Sequence, residues 1–262
     1  MFNTGTNTLL NLMHLNCRFD SVGRHTLWQA PWGKHNPHSW RGHHWAPQFG
    51  EGAWRPNPES IFPVVVVKDP ATWMKSMCRN QYESRFKHAR SHHDPERCPT
   101  PVDETQVVMR YQPDRPSHYD TLVHFWRDWH GEYVNTTRPR LMIRFEDLLF
   151  DSANTVRTVC ECVGGTMKPK FEQEEEVSKD RSLGHVGPVN DRARALSLYA
   201  SEAKRFDHYT RADLDLLRRV GAASPLFAAF DYDFDVDAAL RAAARRRRGL
   251  RFFNASARPK GT

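Results

Sequence analysis

The apolar positions of this chain form one short continuous run and several amphipathic stretches. The run is Val64 to Val67, inside the segment IFPVVVVKDPATWMKSMCRNQ at residues 61–81. Consecutive β-branched residues between a proline and a lysine predict a short buried strand. The pattern breaks at Asp69-Pro70 and restarts with helical spacing, so the strand runs into a helix through a tight turn. PRLMIRF, residues 139–145, predicts a second buried strand, followed by Glu146-Asp147-Leu148. A helix over 152–163 comes next and stops at Gly164-Gly165. Leu9 to Cys17 predicts a helix near the start. Residues 117–134 predict an amphipathic helix with Leu122, Phe125, Trp126, Trp129 and Tyr133 on one broad face, as core packing requires. Helical patterns return at 196–206, 212–220 and 238–248. Strands alternating with helices predict an α/β fold.

Several segments show no period. Residues 21–56 hold five histidines (His25, His35, His38, His43, His44) and five tryptophans (Trp28, Trp32, Trp40, Trp45, Trp54). So many tryptophans argue against disorder. Two readings stand: a flap packed on the core, or aromatic faces that receive a sugar or another polar acceptor. Residues 82–116 are rich in proline and charge and are expected to be a loop-rich insertion. Residues 171–179 are acidic and expected to be exposed. RSLGHVGPVNDRAR, residues 181–194, is a basic loop containing glycines. The chain divides into a domain at 1–240, with 21–56 as an acceptor-side loop, and a basic tail at 241–262.

Composition narrows the partners. The chain has 262 residues, enough for one core, and 39% apolar content. Its net charge of +7 favours an anionic partner. Six arginines between Arg241 and Arg251 supply most of that excess. The body is therefore nearly neutral, and the global charge says little about a site. The cysteines are Cys17, Cys78, Cys98, Cys160 and Cys162, with no Cys-x-x-Cys pair and no zinc spacing. No metal is expected. Asn135 and Asn254 begin Asn-x-Ser/Thr triplets, which matter only in a secretory pathway. No apolar run has transmembrane length, and no signal-peptide pattern follows Met1.

Two stretches carry candidate anion chemistry. FNTGTNT, residues 2–8, is a small polar loop that opens a helix, with Gly5 allowing close backbone approach. A plain helix cap is the more ordinary explanation of that stretch alone. The second is the strand–turn–helix at 61–81. Ligands in α/β sheets gather at strand carboxyl ends, and a helix N-terminus there favours an anion. Lys68 closes the strand and Ser76 follows eight residues later. The Gly-x-x-x-x-Gly-Lys-Ser/Thr pattern of ATP and GTP sites is missing.

Taken together, these motifs resemble the sulfotransferase family, which uses 3′-phosphoadenosine 5′-phosphosulfate, and the carbohydrate-type branch in particular. FNTGTNTLL resembles its 5′-phosphosulfate loop. VVVVKDPATWMKS resembles its 3′-phosphate motif, in which a serine follows a basic residue at the spacing of Lys68 and Ser76. LMIRFEDLLFDSANTVRTVCECVG resembles its Arg-Tyr/Phe-Glu-Asp-Leu strand and helix. ADLDLLRRVGAASPLFAAFDYDFD resembles its C-terminal helix. The likeness spans about residues 2–235.

The resemblance implies an α/β, P-loop NTPase-like three-layer sandwich with a central parallel sheet. The chain begins where the family's first strand ends, so that strand is expected to be missing or its place held another way. The implied co-substrate is 3′-phosphoadenosine 5′-phosphosulfate, held at its 5′ end by Asn3, Thr4, Gly5, Thr6, Asn7 and Thr8. Lys68 and Ser76 would hold the 3′-phosphate, and Gly184, His185 and Gly187 would close over the nucleotide. Asn3 stands where the family has a basic residue, and Lys34 is the candidate for the missing charge. His35 is the candidate base; a solvated flap is the competing reading for both. Arg144, Glu146 and Asp147 are expected to brace strand and helix. The expected acceptor carries a hydroxyl or amine, with carbohydrate favoured. A membrane-anchored Golgi location follows if an anchor precedes this chain, a cytoplasmic one otherwise. The alternatives are a P-loop-like nucleotide phosphotransferase and a non-catalytic basic module for glycan or nucleic acid, although no nucleic-acid motif is present.

Overall fold

The computed structural model describes residues 1–19, 30–42, 57–85, 107–112, 115–174 and 192–244. The valine run forms β2 (Val64–Val67), after a two-residue strand β1 (Cys17–Arg18) that follows α1 (Thr6–Asn16). The chain continues through α2 (Pro70–Arg79), β3 (Ser84–Arg85), β4 (Val107–Gln112), β5 (Arg115–Tyr119) and α3 (Leu122–Asn135). Next come β6 (Leu141–Arg144), α4 (Phe145–Phe150), α5 (Ser152–Cys162) and β7 (Thr166–Met167). The last elements are α6 (Arg192–Tyr199), α7 (Glu202–Arg205), α8 (Arg211–Ala222), α9 (Pro225–Ala229) and a helical stretch at 236–244. The fold mixes helix and sheet, as the alternating pattern predicts.

The two apolar strands pair in parallel, Val64 opposite Leu141 through Val67 opposite Arg144. The side-chain alternation of β2 places its residues in two separate cores. Val65 and Val67 pack with α2, α3 and α8 through Trp73, Phe125, Trp126, Leu214 and Leu217. Val66 and Ile143 pack with α1, α4 and α5 through Leu12, Leu148, Val156 and Val159. The parallel pair is therefore covered by helices on both faces, which explains its unbroken apolar sequence. A central parallel sheet was expected; among the described residues its parallel part is these two strands.

Three boundaries differ from the pattern. Residues 115–119 are strand, and Thr121 caps α3 by accepting from the His124 N–H. The proline-rich stretch expected to be loop contributes β3, β4 and the start of β5 to a three-stranded antiparallel sheet, and residues 117–119, expected to be helix, complete β5. Its strands are short or irregular, with a register shift between Met109 and Gln112, so no clean alternation marks them. The helix expected at 196–206 is two helices, because Ser201 ends one and caps the next through the Lys204 N–H. Arg192 and Arg194, expected in a basic loop, lie on the first of them.

Cys17 and Cys160 form a disulfide that ties β1 to α5. Cys78 is also disulfide-bonded, whereas Cys162 is free and exposed.

Candidate functional site

The first loop is shaped by what it packs against. Gly5 has φ +83°, and a Cβ there would lie 2.3 Å from the Phe145 ring. Only glycine meets both demands. Thr6, Asn7 and Thr8 form the first turn of α1, whose N-cap, Gly5, supplies no side-chain hydrogen bond. The backbone N–H groups of that turn form the partial positive end of the helix dipole. Asn3 takes φ 57°, which asparagine tolerates better than most residues. Its amide donates to the carbonyls of Ser76 at 3.3 Å and Asn80 at 2.9 Å. The Trp73 indole donates to the Phe2 carbonyl at 2.8 Å. Thr4 is buried, and its hydroxyl donates to the Met1 carbonyl. Asn3 and Thr4 thus hold the loop in place, and Asn3 fastens it to the far end of α2.

The second stretch differs from its expected form. An anion was expected at the α2 N-terminus, but Asp69 fills that position with its own carboxylate. Oδ1 accepts from the Thr72 N–H at 2.8 Å, and the other oxygen pairs with Arg205. The polar convergence lies farther along the helix. Lys68 is 4% exposed, and its ammonium donates to Ser76 Oγ at 2.9 Å. Arg79 donates to the same oxygen at 3.3 Å. The Tyr199 side chain, from α6, packs against the Lys68 ammonium beside it. Ser76 gives its own proton to the Thr72 carbonyl. Two cations therefore converge on one hydroxyl, with the Tyr199 ring beside them. An oxyanion with several acceptor oxygens suits this arrangement better than a serine alone does.

Lys68 lies between aromatic rings, with Nζ 5.0 Å from the Phe145 centroid and 5.1 Å from that of Tyr199. Burial, reinforced by Arg79, pulls its pKa down to about 7, against the opposing pull of Glu146 and Asp69. Burial pushes the Tyr199 phenol well up, so it stays protonated. Glu146 accepts from the Asp69 N–H and from the Tyr232 hydroxyl, each at 3.0 Å. It clamps together the carboxyl ends of β2 and β6, as bracing requires. Burial, with Asp69 beside it, raises its pKa. Arg144 lies over the Tyr232 ring and within 3.9 Å of Asp147.

Lys34 and His35 are half-buried and pinned by hydrogen bonds. Gly33, at φ +96°, turns the chain so that Asn36 can bond back to the Trp32 carbonyl at 2.6 Å. Trp32 is fully buried and donates to the Tyr133 hydroxyl at 3.1 Å, while Trp129 donates to the His35 carbonyl at 2.9 Å. The core-packing reading therefore holds for Trp32. Lys34 Nζ donates to Asn7 Oδ1 at 2.8 Å, which brings a cation to the first turn of α1. His35 stacks on Phe2 with centroids 4.0 Å apart, and Nδ1 lies 3.1 Å from the Met1 carbonyl. A carbonyl only accepts, so Nδ1 carries a proton, and in a neutral ring the lone pair then falls on Nε2.

The structure thus gathers Asn3, Thr4, Gly5, Thr6, Asn7, Thr8, Lys34, His35, Lys68 and Ser76 around the carboxyl end of the parallel pair, with the Phe145 ring under both loops. Gly184, His185 and Gly187 lie outside the described residues, as do Trp28, Trp45, Trp54, His25, His43 and His44. Arg79, Tyr199 and Phe145 were not singled out from sequence as ligand-facing. Arg79 had a signal, since it lies three residues after Ser76 on one helix face. Tyr199 had none, because it arrives from a distant helix. Among the described residues, no cluster of histidine, cysteine, aspartate or glutamate is arranged to hold a metal ion, and no helix is long and apolar enough to cross a membrane. No family model, curated protein or solved structure matches the chain.

Proposed function

We propose that this chain is a sulfotransferase that moves a sulfuryl group from 3′-phosphoadenosine 5′-phosphosulfate to a hydroxyl or amine, with carbohydrate as the favoured acceptor class. The P-loop-like three-layer sandwich belongs to the same proposal, supported by helices on both faces of a parallel pair. The observation that carries it is the position of two anion-suited groups on one aromatic floor. The Gly5 turn touches the Phe145 ring from one side, and Lys68, bonded to Ser76, lies against the same ring. A nucleotide with phosphate at both its 3′ and 5′ positions needs two such groups at a fixed separation.

In this reading, Lys68, Arg79, Ser76 and Tyr199 bind the 3′-phosphate through charge-assisted and neutral hydrogen bonds. The N–H groups of the α1 first turn and the Lys34 ammonium stabilise negative charge growing on the 5′-phosphate oxygen as the S–O bond breaks. Lys34 then supplies the cation that Asn3 lacks. His35 Nε2 takes the proton from the acceptor as its oxygen or nitrogen bonds to sulfur. The chain's own side chains and amides carry each of these roles.

The test is titration with 3′-phosphoadenosine 5′-phosphate. Binding in the micromolar range, lost in Lys68→Ala and weakened in Ser76→Ala, is the expected result. Equal affinity for ATP, or unchanged affinity in Lys68→Ala, overturns the reading. Sulfur-35 transfer from labelled donor to a glycan acceptor array then addresses the acceptor class.

A further inference from the structure

Two groups outside the nucleotide site point to the same environment. The first is the Cys17–Cys160 disulfide, whose half-cystines are 6% and 0% exposed and so lie in the packed interior. Cys78 is bonded as well. Disulfides built into a core form and persist in oxidising compartments and are rare where glutathione keeps thiols reduced. The second is Asn135-Thr136-Thr137, a triplet of the Asn-x-Ser/Thr type. Asn135 is the last residue of α3 and is exposed, and so is Thr137. Thr136 takes φ −71° and ψ 144°, which takes the triplet out of the helix into an open segment before β6. No hydrogen bond among the described residues uses the Asn135 amide, so modifying it breaks no described contact.

We infer that the protein matures in an oxidising secretory lumen and carries an N-linked oligosaccharide on Asn135. The donor is an oligosaccharide on a polyprenyl diphosphate. The bond from the sugar C1 to the diphosphate oxygen breaks, and a bond from C1 to Asn135 Nδ2 forms. The amide gives up one proton, and the lipid diphosphate leaves.

The position suits a bulky addition. Trp126, in the first half of α3, donates to the Lys68 carbonyl, so that part of the helix lies beside the nucleotide site. Asn135 lies nine residues farther on, about 13 Å along the helix axis. The chain then enters β6 at its amino end, whereas the site gathers at the carboxyl end. A glycan at Asn135 therefore projects from the opposite pole and leaves the nucleotide site open. The inference does not depend on sulfuryl transfer; a lumenal glycoprotein of another activity satisfies it equally.

The test uses protein isolated from its source, digested with and without peptide N-glycosidase in oxygen-18 water. The expected result is conversion of Asn135 to aspartate with one oxygen-18, and alkylation of Cys17 and Cys160 only after reduction. An unmodified Asn135 peptide, or Cys17 and Cys160 labelled without reduction, overturns the inference. In eukaryotic cells expressing the full chain behind a secretory leader, Asn135→Gln and Thr137→Ala each abolish the gel shift, and Thr137→Ser keeps it. A shift of unchanged size in Asn135→Gln assigns the glycan to Asn254 and overturns the assignment to Asn135.

Discussion

Lys68 and Ser76 are joined by a 2.9 Å hydrogen bond that runs along the flank of α2 and leaves its N-terminus to Asp69. The bond sets where an anion would be held and makes its binding depend on the charge of a buried amine.

That charge is the source of a pH dependence. The Lys68 pKa is lowered to about 7, so the free protein loses the ammonium as pH rises through 7. Affinity for 3′-phosphoadenosine 5′-phosphate is expected to fall above pH 7, with a proton taken up on binding. Calorimetry in buffers of different ionisation enthalpy measures that uptake. The Lys68→Arg variant should lose the slope, since guanidinium stays charged throughout. Stability of the free protein has the opposite sign. Between about 7 and the ordinary lysine value, the unfolded chain binds the extra proton, so stability rises with pH in that window. Denaturant titrations at pH 7 and 9 should show the rise in wild type and lose it in Lys68→Met.

Arg79 and Tyr199 test the anion site around Lys68. Tyr199→Phe removes one neutral donor from a site that keeps both cations. The expected cost is about 1 kcal/mol, several-fold in affinity. Arg79→Ala removes a charged donor and should cost about 1.5–3 kcal/mol. Isothermal titration of each variant against the same nucleotide checks the order. A larger loss for Tyr199→Phe than for Arg79→Ala contradicts the assigned roles.

Gly5→Ala should damage the first loop in two separable ways. The positive φ costs about 1 kcal/mol or more in any L-residue. The new Cβ also collides with Phe145. Combining Gly5→Ala with Phe145→Leu should recover part of the stability lost, because only the collision is relieved. A double-mutant cycle by denaturant unfolding measures the coupling. Strict additivity would mean that ring and glycine do not press on one another.

Trp32→Ala separates packing from ligand contact. The ring is fully buried and donates to Tyr133, so a loss of about 3–5 kcal/mol is expected in thermal or denaturant unfolding. Trp32→Phe keeps most of the ring and should be milder. If both variants instead stay stable and lose acceptor turnover, Trp32 belongs to the acceptor face.

The legible parts of the chain were those whose local chemistry and tertiary role coincide. Val64–Val67 reads as a buried strand because both faces of it are buried. Lys68 and Ser76 could be paired because a strand end and one helix fix their separation. Asp69 was less transparent: one side chain can cap a helix only by filling the position an anion would take, and spacing alone does not say which will occur. β4 and β5 escaped because a bulged antiparallel ribbon with prolines has no sustained period. Tyr199 and the Gly5–Phe145 contact depend on residues far apart in sequence meeting at one point, which no local pattern records.

The Cys17–Cys160 bond spans 143 residues and makes everything between those positions a covalent ring. Lys68, Ser76, Arg79 and Phe145 lie inside that ring; Gly5 and Tyr199 lie outside it. A single cut of the backbone anywhere within it leaves one molecule, with the two sides of the nick still joined through sulfur. Such a clipped chain runs intact on a non-reducing gel and separates only when the disulfide is reduced.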